Sequence, residues 1–97
     1  MKTFLEFINE GYEIYHNSFT LAIQAAEKVA TDAGYTVDKE EWAQEIGLGK
    51  PKPSKGDTNK YSLSLFKNDK EQKKKLHIQV YNRGTTSNEF ELNCYIS

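Results

Sequence analysis

Residues 75–81 read KLHIQVY, and this stretch decides the fold. Leu76, Ile78 and Val80 alternate with His77, Gln79 and Tyr81. Side chains of a strand point to opposite faces in turn, so a period of two puts three aliphatic groups on one side and three polar or aromatic groups on the other. Two further runs repeat the pattern. YSLSLF (61–66) sets Tyr61, Leu63 and Leu65 against Ser62 and Ser64, and EFELNCYI (89–96) sets Phe90, Leu92, Cys94 and Ile96 against Glu91, Asn93 and Tyr95. Three such runs predict an antiparallel sheet with one face covered and one open to water. The connectors KNDKEQKKK (67–75) and NRGTTSN (82–88) are short and full of turn formers, so the strands are expected as hairpin neighbours.

The covering layer is read upstream. Over residues 18–33, Phe19, Ala22, Ile23, Ala26, Val29, Ala30 and Ala33 form one helical stripe. Asn17 or Ser18 is placed to cap its start, and Gly34 to take the left-handed position at its end. A second helix starts at DKEEW (38–42), with Asp38 as cap, Glu41 completing a capping box, and Trp42 and Ile46 facing inward. Residues 2–10 show a shorter apolar face through Phe4, Leu5 and Ile8, ended by Gly11, and YEIYHN (12–17) reads as a connector. GKPKPSKGDTNK (49–60) reads as a loop, because two prolines lack amide donors and Gly56-Asp57 favours a turn. Helices followed by strands predict an α+β fold: two to three N-terminal helices on a three-stranded antiparallel meander, in a single domain over 1–97. The expected core sets Phe19, Ile23, Ala26, Val29, Trp42 and Ile46 against the apolar sheet face.

Composition narrows the class. A hydrophobic share of 37% is modest, but twelve aromatic residues argue for a folded chain. One cysteine, Cys94, excludes an internal disulfide and suits a reducing compartment. No apolar run approaches the roughly 20 residues that span a bilayer, and Glu6 and Glu10 interrupt what a secretory signal would need. A cytoplasmic chain without a membrane partner is the expectation. The net charge of -1 hides a split: residues 1–49 carry three lysines against nine carboxylates, and residues 50–97 carry ten Lys/Arg against five. The split reads either as solvated faces of opposite sign that steady each other or as a basic half that meets a polyanion such as nucleic acid.

Nothing in the chain reads as catalytic. The thiol of Cys94 shares an inward strand face with Leu92, while His77 points the other way, so the two do not form a nucleophile and base. No His, Cys and Asp residues stand at metal-ligand spacing, and GLGK (47–50) lacks the length of a phosphate-binding loop. No enzyme activity, metal or cofactor is expected. The polar sheet face is the better candidate for function. His77, Gln79, Tyr81 and Tyr95 would line it, with π-faces for stacking. Lys52 and Lys55 of KPKPSK, Lys73, Lys74 and Lys75, and Arg83 would supply cations around it.

Two resemblances add to this reading. VYNRGTT (80–86), through Asn82, Arg83 and Gly84, resembles the Arg-Gly step of Sm-like RNA-binding proteins, which implies as an alternative a bent small barrel behind an N-terminal helix, and a small nucleic-acid-binding module. The opening MKTFLEFINEG (1–11) resembles the capsid-targeting leader of internal head proteins of T-even-type tailed phages. Met1, Lys2, Thr3, Phe4, Glu6, Phe7, Ile8 and Glu10 fit that pattern, with Gly11 as the small residue after it and Phe4 standing where Tyr is usual. The resemblance implies a cut by the head-maturation protease after Ile8-Asn9-Glu10, partnership with the phage scaffold, and passage from host cytoplasm to virion interior. The stretches GKPKPSKGDTNKYSLSL, LHIQVYNR and ELNCYIS also look similar to small proteins of marine cyanophage-type viruses, a likeness that implies no activity and leaves the oligomeric state open.

Overall fold

The computed structural model describes residues 12–97. The leader expectations, including the processing residues Ile8, Glu10 and Gly11, lie outside the described residues. The elements run β1 (Tyr15–His16), α1 (Phe19–Asp32), α2 (Lys39–Trp42) continued by a π-helical turn (Ala43–Gly47), β2 (Thr58–Lys67), β3 (Lys70–Asn82) and β4 (Phe90–Ile96). They form an α+β fold in which the sheet is antiparallel throughout and ordered β1-β4-β3-β2. The expected meander is there as β2, β3 and β4, but the sheet has a fourth strand. Tyr15 and His16, read from sequence as part of a connector, pair with Glu91 and Phe90. Among the described residues the sheet is open, with β1 and β2 as its edges, and is not a closed five-stranded barrel.

The segment between β2 and β3 also differs from expectation. Residues 67–75 do not form a loop. Lys67 pairs with Lys70 across a two-residue turn in which Asn68 and Asp69 take φ of 54° and 63°. Two successive positive φ values match the right-handed twist of the flanking strands, which is why Asn and Asp, both tolerant of that region, sit there. Lys70–Lys75 therefore belong to β3, with a register shift opposite Ser64 and Phe66.

Helix α1 starts where Ser18 accepts the Leu21 backbone N–H at 3.1 Å, while Asn17 is used elsewhere, accepting the Asn88 N–H at 2.7 Å. Gly34 follows the C-cap Ala33 with φ +93°, the left-handed position expected of it. Only the alanines of the stripe are fully enclosed. Ala22, Ala26 and Ala30 are wholly buried, Phe19, Ile23 and Val29 are half-buried, and Ala33 is exposed. Small side chains let the helix lie close to the sheet, so the larger groups are displaced to its flanks. They meet Leu63, Leu65, Leu76, Ile78, Val80, Phe90, Leu92 and Cys94, all of the apolar sheet face. Phe19 packs edge-on to Phe90 at 6.1 Å. Trp42 joins this core from α2, and Ile46 is half-buried beside it.

Helix α2 is capped by Asp38, which accepts the Glu40 and Glu41 N–H groups at 2.9 and 3.3 Å. The predicted capping box does not close. Glu41 instead crosses to β2, where it accepts the Ser64 N–H at 2.9 Å and the Ser64 hydroxyl at 3.1 Å. Thr36 and Phe66 exchange two backbone hydrogen bonds next to it. Together they satisfy outward groups of an edge strand that would otherwise invite another chain. On the opposite edge, Leu92 donates to the Ile14 carbonyl at 2.7 Å, and the Tyr12 hydroxyl accepts the Cys94 N–H at 3.1 Å.

Candidate polar-face binding surface

Both helices join the core on the apolar side, so the other face of the sheet is built from side chains alone among the described residues. The strand register sorts them into rows. Ser62, His77 and Tyr95 form one, Lys60, Gln79 and Asn93 the next, and Thr58, Tyr81, Glu91 and Tyr15 the third. A shift of one residue in any strand would turn these groups into the core, so burial of the aliphatic face is what holds the polar face together.

In the first row, the imidazole of His77 stacks on Tyr95 with centroids 4.9 Å apart and planes 27° from parallel. Ser62 Oγ lies 3.0 Å from His77 Nδ1, a hydrogen bond in which the tautomer of the ring decides which partner donates. The third member of that row is a stacking partner and not a carboxylate that would orient a catalytic histidine. In the third row, Tyr81 is exposed and Tyr15 carries the Arg83 guanidinium over its ring, 4.6 Å from the centroid. Arg83 also donates from Nη1 to the Asn88 carbonyl at 3.1 Å, which leaves other N–H donors of its fork unused by these contacts. In the face between, Asn93 donates to the Glu91 carboxylate at 3.2 Å.

The structure brings together His77, Gln79, Tyr81, Arg83 and Tyr95 and separates the lysines. Lys75 shares the polar face with His77, whereas Lys74 follows the side of Leu76. Lys73 lies beside the register shift. Lys52 is not at the rim of this face. It lines a groove of about 540 Å³ on the helix side, with Phe19, Ile23, Ile46 and Pro51. The Lys55 stem lies against Gly84, close enough that a Cβ there would meet it at 2.6 Å, and Gly84 has φ +75°. The Arg-Gly step is thus a turn whose positive φ favours glycine.

The proline loop takes this course because two buried asparagines hold it. Asn59 donates to the Pro51 carbonyl at 2.7 Å, and Asn82 donates to the Pro53 carbonyl at 3.0 Å and to Glu89 at 2.9 Å. Proline has no N–H, but its carbonyl is an ordinary acceptor. Sequence reasoning missed this, and also missed Tyr15 and Lys60 as members of the polar face. Asn82 was detectable as a polar residue in phase with Leu76, Ile78 and Val80.

Charge around the sheet is uneven, with the acidic side chains of α2 gathered at the β2 edge. At the hairpin end, Asp38, Glu40, Glu41, Glu45 and Glu71 line a shallow acidic groove of about 400 Å³ with Ser64 and Phe66. At the other end, Lys60 and Arg83 stand with Tyr81 and Tyr15, against Glu91. Cys94 lies beneath the sheet, fully enclosed, and burial pushes its thiol up to about 12. A thiol so held is a poor nucleophile. Among the described residues, no group of three His, Cys, Asp or Glu side chains is placed to hold a metal ion, and no helix is long and apolar enough to cross a membrane. No protein-family model, curated protein or solved structure matches this chain.

Proposed function

We propose that the chain is a non-enzymatic, virion-associated protein of a tailed phage, carried into the prohead by residues 1–10 and trimmed between Glu10 and Gly11. The eight matching positions of MKTFLEFINEG support the address. The placement of Tyr12 carries the trimming. Its hydroxyl accepts the Cys94 N–H, Ile14 accepts from Leu92, and Tyr15–His16 pair with β4. Each of these edge contacts comes from a residue beyond the bond to be cut, so cleavage there spares them all. The leader's partners on this reading are the phage scaffold and the head-maturation protease. A tag that leaves with Lys2, Glu6 and Glu10 leaves behind 12 basic and 12 acidic residues, a balanced domain whose open polar face is its contact surface.

The test is co-expression with a cognate head-maturation protease, read by intact mass. The expected product lacks residues 1–10, and Glu10→Ala stays full length. Cutting at another bond overturns the reading. So does a chain starting at Gly11 that fails to fold.

A further inference from the structure

We propose that the polar sheet face binds single-stranded nucleic acid, with bases on Tyr81 and on the His77–Tyr95 pair and phosphates on Lys60, Lys75 and Arg83. This inference stands on residues 12–97 and does not depend on the leader.

Three features select this occupant. The first is the spacing of the aromatic groups. His77 and Tyr81 lie on the same side of β3 four residues apart, about 13 Å at the rise of a strand. Tyr95 is paired with His77 on the adjacent β4. Two stacking stations on one open surface suit a chain of unpaired bases, since every base offers a π-face and none need be read by sequence. The second is charge. Lys60, Lys75 and Arg83 border these stations, three cations against one carboxylate among them, Glu91, which accepts from Asn93 and keeps its charge. The third is openness. No described element packs across this side, and Tyr81 and Arg83 are exposed. A duplex hides its base faces and would use only the cations.

The acidic groove at the hairpin end gives the path a limit. Ser64, the β2 neighbour of Lys75, is held by Glu41, and Glu71 and Glu45 stand in the same groove. A phosphate chain is repelled past Lys75, which makes Lys75 the last cation of the path at that corner. The path therefore runs from Tyr95 and His77 towards Tyr81 and Arg83, and Lys73 and Lys74 stand off it. Neutralising Arg83 or Lys60 then matters more than neutralising Lys73 and Lys74.

The experiment is a fluorescence-anisotropy titration of the full chain against a labelled oligothymidylate of about 12 nucleotides. With three phosphate contacts, affinity should fall about twentyfold between about 50 and 200 mM salt. Tyr81→Ala should weaken binding about tenfold while Tyr81→Phe keeps it, because stacking needs the ring and not the hydroxyl. Lys60→Gln and Arg83→Gln should each lower the salt slope by about 0.7. Lys52→Gln, on the helix side, should leave affinity unchanged. Circular dichroism of each variant checks that the fold is retained. The proposal is overturned by lack of saturable binding, by a duplex of the same length binding as well as the single strand, or by Tyr81→Ala binding like the parent. Prohead trimming is read by mass and strand binding by titration, so either can fail while the other holds.

Discussion

Glu41 on α2 grips Ser64 on β2 twice, taking the backbone N–H through Oε1 and the hydroxyl through Oε2. One carboxylate thereby closes an edge strand and ties the second helix to the sheet. A charged acceptor is worth about 1.5–3 kcal/mol per hydrogen bond of this kind. Glu41→Ala should lower the unfolding free energy read from urea melts by about 1.5–3 kcal/mol, moving the midpoint to lower urea, and light scattering should show slow association as the β2 edge is freed. A midpoint equal to the parent's would mean that the two hydrogen bonds add nothing over water.

Asn82 carries a different load. Its side chain serves Pro53, Glu89 and the Gly84 N–H at once, from a position that is almost completely buried. Asn82→Ala strands several partners, and each buried polar group left unpaired costs about 1–3 kcal/mol. The expected loss is about 2 kcal/mol or more in urea denaturation, with faster hydrogen exchange at Gly84. Asn82→Asp should recover none of it, since it keeps the acceptor for Gly84 but sets a buried carboxylate against the Glu89 carboxylate and the Pro53 carbonyl.

Alkaline pH should unfold the protein through groups that burial keeps protonated. The Cys94 thiol is held well above its ordinary 9.0, chiefly by burial, with the Tyr12 hydrogen bond pulling the other way. Tyr12 and Tyr61 are also raised from 10.0, again mainly by burial. The unfolded chain releases these protons first as pH rises. Stability is thus whole below the unfolded values and drains away as pH climbs through them towards the folded ones. Urea melts from about pH 8 to about pH 11 should show the decline, and Cys94→Ala should flatten part of it. Equal slopes for parent and variant would remove the thiol from this account.

The strands and both helix starts were legible because they are written locally. Leu76, Ile78 and Val80 alternate with His77, Gln79 and Tyr81 in a period no helix accommodates, and Ser18 and Asp38 are of the few residue types whose side chains reach an N2 or N3 amide. What was not legible depends on distant partners. Tyr15 and His16 make a strand only because β4 lies beside them, and two residues carry no period. Glu41 stands three residues after a cap, where the same letters serve a capping box or a bond to another element. The position of Lys52 follows from the loop's attachment to Asn59 and Asn82, which no spacing within KPKPSK encodes. The polar face was thus readable strand by strand, but its membership, with Tyr15 added and Lys52 removed, was not.

The sheet is a single layer between the alanine helix and solvent, so the thirteen residues of β3 serve both sides at once. Whatever settles on Tyr81 and His77 rests on the same backbone that carries Leu76, Ile78 and Val80. A ligand there would act as a splint, raising the melting temperature as it saturates, because anything that favours the native form over the denatured one shifts the equilibrium by mass action. Occupancy of this molecule is therefore measurable by heat alone.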